Sequence, residues 1–134
     1  MSKNILGLAH IGIMVSDLEV SKAFYRDILD FEVVHQNAVI EGDIVTGVLF
    51  MGIGDLVLEL IQRPVYDGTR KDGYVDHIAL KVKDIEKVRD NLSKKGIEYT
   101  MDDVFTCDTL FEKGAKWILF KGPDNESLEL NEIL

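Results

Sequence analysis

The sequence has 134 residues, 46% of them hydrophobic, with 24 acidic against 15 basic residues and a formal charge of -9 at pH 7. That length accommodates one ordinary globular domain or two very small modules sharing a core, and it leaves no room for a multidomain enzyme. The acidic field repels phosphate and weighs against a nucleic-acid partner. A single cysteine, Cys107, forms no intrachain disulfide; with no apolar signal segment and no apolar run of about 18 residues, a cytoplasmic protein without membrane association is expected.

Near the start, Ile11, Ile13 and Val15 alternate with His10, Gly12 and Met14. That is the period of a strand with one face on a helix and His10 on the other face. Ser16 or Asp17 can cap the next helix, whose apolar stripe is Val20, Phe24, Ile28 and Leu29, with Phe24 expected in the core. Strands are then expected over 31–38, 44–51 and 56–61, with Gly52, Gly54 and Asp55 making the tight connection before the last. Pro64, Gly68 and Gly73 interrupt the periodicity, which predicts a linker over 64–73 between modules 1–63 and 74–134 of one domain, 1–134. The pattern then starts again. Ile78, Leu80 and Val82 repeat the strand after His77, Asp84 is the cap candidate, Ile85, Val88 and Leu92 form the stripe, and Gly96 supplies the C-terminal turn. Strands follow over 97–105, 116–121 and 128–133, the last two joined by the turn GPDNE, which lacks the length and lysine of a phosphate-binding loop.

The two copies begin at His10 and His77, 67 positions apart in a chain of twice that length. Each reads βαβββ, an α+β arrangement of two modules. Either module alone would leave one sheet face bare, so the two complete each other within the chain or in a homodimer.

Residues with ligand chemistry recur at matched places: His10 and His77 open the first strands, and Glu59 (LVLELIQ) and Glu129 (SLELNEI) lie in the last strands between leucines that face the other way. Taken singly each has an ordinary structural or surface role. Four at matched positions in duplicated modules instead form an N2O2 set for a divalent transition metal with room for an oxygen-bearing substrate. Such an ion polarises vicinal oxygens, and a carboxylate at its edge moves a proton between adjacent carbons. The Glu follows the His by 49 residues in the first copy and 52 in the second, a difference that turns absorb. His35 has no counterpart and reads as structural. Cys107 reads as a small buried residue or an incidental thiol, and Trp117, alternating with Leu119, as core, with a pocket wall as the alternative. Arg63, Arg70 and Lys71 read as hydrated loop residues that could otherwise bring positive charge to a site.

The segments AHIGIMVSDLEVSKAFYRDILDF, LVLELIQ, VDHIALKVKDIEKV and WILFKGPDNESLEL resemble the vicinal oxygen chelate superfamily, and within it bacterial glyoxalase I, or lactoylglutathione lyase. The resemblance spans nearly the whole chain. It implies paired βαβββ modules forming a cupped mixed sheet, and a homodimer with each metal site between modules of different subunits. Its metal ligands would be His10, Glu59, His77 and Glu129. Nickel or cobalt is favoured in the short bacterial members, with zinc possible. The implied substrate is a small molecule, the hemithioacetal of a 2-oxoaldehyde and a thiol, converted to a 2-hydroxyacyl thioester through an enediolate. Glu129 is then the base, and Glu59 a ligand and second proton-transfer group. Two departures fall in the expected thiol pocket: Met14 stands where the family often has arginine, and Arg63 where it often has asparagine. Other members set the alternatives. Dioxygenases and fosfomycin-type thiol transferases use two histidines and one glutamate, methylmalonyl-CoA epimerase commonly has glutamine at Glu59, and a resistance module binds a small molecule without metal.

Overall fold

The computed structural model describes residues 4, 6, 8–64, 75 and 77–134. Its described residues form β1 (Ile11–Met14), α1 (Leu18–Ala23) running into a π-helical turn (Phe24–Ile28), β2 (Glu32–Glu41), β3 (Ile44–Ile53), β4 (Leu56–Gln62), β5 (Ile78–Lys81), α2 (Ile85–Lys94), β6 (Phe105–Cys107), β7 (Ala115–Lys121) and β8 (Ser127–Ile133). The chain divides into two compact units, Met1–Gly68 and Thr69–Leu134. Each is a βαβββ module with a four-stranded mixed sheet, ordered β1-β4-β3-β2 in the first and β5-β8-β7-β6 in the second. The linker expected over 64–73 lies, except for Pro64, outside the described residues. Among the described residues no helix is long and apolar enough to cross a membrane.

In both sheets the first strand lies parallel to the last and the other pairings are antiparallel. The apolar faces follow the alternation in the sequence. In the first module Ile13, Val15, Leu49, Met51, Leu58 and Leu60 are buried, and in the second Ile78, Ile118, Phe120, Leu128 and Leu130. Removing this apolar surface from water is the main stabilising term of each module.

The helices differ from expectation in instructive ways. Asp17, not Ser16, caps α1, its Oδ1 accepting from the backbone N–H of Glu19 at 2.9 Å and of Val20 at 3.3 Å. The stripe is Leu18, Ser21, Tyr25 and Leu29, whereas Val20 is exposed and Phe24 is only half-buried. These positions recur at i, i+3, i+7 and i+11 from Leu18, the ordinary helical spacing, so the buried face starts at Leu18 rather than at Val20 and Tyr25 takes the core place expected for Phe24. Tyr25 then meets Phe31 edge-on at 5.2 Å between ring centres. Asp84 does not cap α2, because its backbone is left-handed at φ 57°. The Glu132 carboxylate does so from β8, accepting from Asp84 N–H at 3.2 Å and Ile85 N–H at 3.1 Å. Gln62 plays the same part at α1, its Oε1 accepting from Leu18 N–H at 2.7 Å. Gln62 follows Glu59, and Glu132 follows Glu129, by the same interval, so in each module the strand bearing the glutamate also fastens the helix start.

The strand expected over 97–105 is replaced by β6 at Phe105–Cys107, overlapping it only at Phe105, with Tyr99 making an isolated bridge to Phe120. The Tyr99 hydroxyl donates to the Arg89 carbonyl of α2 at 3.0 Å, so this segment serves the helix rather than extending the sheet. In the GPDNE turn, buried Glu126 accepts from Asp124 N–H at 2.8 Å. Gly122 has no room for a Cβ, since one there would meet the Glu126 side chain.

Candidate functional site

In each sheet the ligand-type residues lie on the face opposite the buried leucines that flank Glu59 and Glu129. In the first module Glu59 on β4 sits between Gly12 on β1 and Phe50 on β3, and Phe50 is opposite His35 on β2. His10 immediately precedes β1, and its Nε2 lies 3.6 Å from Glu59 Oε1. The edge contact between the His10 and Phe50 rings, 5.4 Å between centres, fixes the imidazole against the sheet. A Cβ at Gly12 would stand 3.7 Å from Glu59 Oε1, in ordinary van der Waals contact.

The second module repeats the geometry. Glu129 on β8 sits between Ala79 on β5 and Leu119 on β7, and His77, immediately before β5, places Nε2 3.6 Å from Glu129 Oε1. Here the other carboxylate oxygen is also held, Oε2 accepting from Asn131 Nδ2 at 2.8 Å. The side chain of Glu129 is 10% exposed against 23% for Glu59, while His10 and His77 are alike at 40% and 39%.

A separation of 3.6 Å is too long for a good hydrogen bond. It is close to the span of two ligands on one ion: donors about 2.1 Å from a metal and about 90–110° apart stand roughly 3.0–3.4 Å from each other. Each His–Glu pair therefore suits half of a divalent-metal site with imidazole and carboxylate donors. Among the described residues no group of three or more His, Cys, Asp and Glu forms a metal site.

Trp117 is not core. It is half-buried on the face that carries Glu129, opposite Asn131, and its ring packs 5.1 Å from that of Phe105. Trp117 does alternate with Leu119, but beyond Ala115 at the start of β7 the buried members of the strand are Ile118 and Phe120. His35 stands on the open face with its ring 6.3 Å from that of Phe50. Cys107 is half-buried, and hydrogen bonds from Thr109, with its Oγ1 at 3.1 Å, hold the thiol below its ordinary pKa. Arg63 shares a cavity with Glu59, whereas Arg70 and Lys71 lie outside the described residues. Sequence reasoning missed Phe50 and Asn131. For Asn131 a signal existed, because it follows Glu129 by the two-residue strand period and so shares its face.

Residues 7–130 match the family model described as the glyoxalase/bleomycin resistance protein/dioxygenase superfamily. The chain belongs to that superfamily. It is similar to the uncharacterized protein YwbC of Bacillus subtilis (strain 168), 30% identical over 127 residues that cover 90% of this chain and 92% of that one. The crystal structure of a glyoxalase family protein from Enterococcus faecalis is similar with a TM-score of 0.73 and 30% identity, covering 94% of this chain and 97% of that one. FosX, the genomically encoded fosfomycin resistance protein of Listeria monocytogenes, crystallised with Mn(II) and sulfate, shares the fold at a TM-score of 0.72 and 21% identity, with 97% of this chain and 94% of that one covered.

Proposed function

We propose that the chain is a metal-dependent enzyme of the superfamily that acts on a small molecule through neighbouring oxygens, with His10, Glu59, His77 and Glu129 as the ligands. The observation that carries this reading is the duplicated pair, a histidine and a glutamate 3.6 Å apart at the same place in both modules. A bound divalent ion would supply Lewis-acid stabilisation of an oxyanion. Imidazole and carboxylate donors suit nickel, cobalt, zinc and manganese alike; the family resemblance orders nickel and cobalt first.

The finer reaction we assign is proton transfer of the glyoxalase I type, on the hemithioacetal of a 2-oxoaldehyde and a thiol. Glu59 supports it. Relatives with two histidines and one glutamate have no use for a fourth ligand, whereas here Glu59 faces His10 as Glu129 faces His77. Glu129 takes the proton from one carbon and returns it to the neighbouring carbon, with Glu59 as a ligand and second proton-transfer group. Asn131 orients Glu129 by donating to Oε2, which directs Oε1 toward His77. The backbone that brings each pair together is short and fixed: a parallel strand pair whose far end is tied to its own helix by Gln62 or Glu132.

The likeness to FosX in complex with Mn(II) favours a second reading, a resistance enzyme acting on an oxygen-rich antibiotic. One experiment separates them. Protein loaded with nickel, cobalt, zinc or manganese is given the methylglyoxal hemithioacetal of glutathione and of alternative thiols, then fosfomycin with water or thiol. Thioester formation above buffer supports the isomerase, and metal-dependent consumption of fosfomycin supports the second reading. No metal-dependent turnover with any of them defeats both. Homodimerisation, implied by the same resemblance, is tested by light scattering of the eluting protein.

A further inference from the structure

A cavity of about 540 Å³ lies at the end of the first module's sheet where β3 turns into β4 and β2 begins, and its lining includes Asp30, Glu32, Val34, Gly52, Ile53 and Val57. That volume suits a small-molecule ligand. Two features of the sequence open it. Gly52 has no side chain, and its register partners, Glu32 on β2 and Val57 on β4, stand on either side of the gap. The register of β2 on β3 also shifts between Val33 and His35, and Val34 leans over the same glycine. A Cβ on Gly52 would stand 3.1 Å from Val34 Cγ2 and 3.9 Å from Val57 Cγ2, so a larger residue would fill the hollow.

The lining divides by chemistry. Val34 and Ile53 leave apolar surface exposed, and Val57 adds to it. Asp30 and Glu32, on either side of the buried Phe31, supply two carboxylates. Among the described residues no lysine, arginine or histidine forms an ion pair with either one, and none lines the cavity. A hydrated inorganic ion would use the charges and gain nothing from the valines, and a neutral apolar molecule would use the walls alone. An ammonium carried on a hydrocarbon body uses both.

We propose that this cavity binds a small organic cation, an alkyl- or arylalkylammonium whose nitrogen lies at Asp30 and Glu32 and whose hydrocarbon body fills the hollow over Gly52. The assignment stands apart from the metal-dependent reaction proposed above, because none of the four metal-ligand candidates lines the cavity.

The test follows backbone amide shifts of isotope-labelled full-length protein, stripped of metal with EDTA so that no probe is drawn to a metal ion. The probes are phenethylammonium, phenethyl alcohol, hydrocinnamate, methylammonium and magnesium. Phenethylammonium is expected to bind with a Kd of about 1 mM. It should bind on the order of tenfold more tightly than the alcohol, moving amides of residues 30–34 and 52–57 that border the cavity, while hydrocinnamate leaves them in place. Asp30→Asn and Glu32→Gln should each weaken the amine by about 2- to 5-fold, and together bring it to the alcohol's affinity; asparagine tolerates the left-handed backbone of Asp30 at φ 63°. Gly52→Val, with its fold checked by the same amide spectrum, should abolish binding of amine and alcohol alike. Equal affinity of amine and alcohol, a preference that survives the double substitution, shifts confined to residues outside the cavity, or no saturable shift with any probe overturns the proposal. Methylammonium or magnesium binding as tightly as phenethylammonium overturns the choice of an organic cation.

Discussion

Glu59 and Glu129 occupy the same place in two copies of one module, yet their surroundings differ. Glu129 has one oxygen toward His77 and the other on Asn131, and its side chain is 10% exposed. Glu59 has the same relation to His10, but Ile61 stands where Asn131 stands in the second copy, and 23% of its side chain is open. Duplication has thus preserved the donor pair while the support beside it diverged. The second copy holds its carboxylate in one orientation; the first leaves its carboxylate room to rotate, next to a cavity. Glu129, the proposed base, is thus the carboxylate held in one orientation, and Glu59, the proposed ligand and second proton-transfer group, is the one with room to turn.

Removing a carboxylate tests that comparison most severely. Glu129→Gln is expected to abolish metal-dependent turnover, while Glu59→Gln keeps metal binding in weakened form and loses most turnover; metal affinity and kcat measured side by side check this, and equal losses in both variants would erase the distinction. Next come the leucines behind the two glutamates. Leu60→Ala and Leu130→Ala each remove a buried side chain and should cost about 2–5 kcal/mol in denaturant unfolding. Asn131→Leu should lower metal affinity or turnover by about 10- to 100-fold, whereas the reciprocal Ile61→Asn should tighten metal binding by supplying Glu59 with the missing donor.

The helix anchors are smaller. Gln62→Ala and Glu132→Ala are expected to destabilise their modules by about 0.5–2 kcal/mol, with Glu132→Ala the larger because a charged acceptor caps two N–H groups. The smallest effect is pH-dependent. Lys116 donates to Glu86 at 2.8 Å, which lowers the Glu86 pKa and raises that of Lys116. The Glu86 contribution is complete above the ordinary carboxylate pKa and is lost as pH falls through its lowered value. The Lys116 contribution is complete below the ordinary lysine pKa and is lost as pH rises through its raised value. Glu86→Gln should therefore leave stability less dependent on pH at the acid end, read from thermal melts across that range, with the difference screened by salt.

Much of this was legible before any coordinates. The repeat, the alternation around His10 and His77 and the leucine flanks of Glu59 and Glu129 specified two βαβββ modules and which face each glutamate takes. Three features were not. The buried face of α1 starts at Leu18, so Tyr25 lies inward in place of Phe24, and the sequence carries a competing apolar stripe through Val20, Phe24 and Ile28 that spacing alone does not set aside. Glu132 caps α2 from a strand remote in sequence, whereas the local sequence points to Asp84. Trp117 belongs to the half-buried face because its strand is flanked on one side only by the helix layer, and alternation alone does not say which set of residues that layer covers.

The central claim is that His10–Glu59 and His77–Glu129 serve one metal ion. Calorimetric titration of purified full-length protein with nickel, repeated on His10→Ala and His77→Ala, tests it most directly. The account predicts one ion per chain in the wild type and loss of tight binding in each variant. Binding that survives the removal of either histidine, or a wild type that takes up no ion, would contradict it.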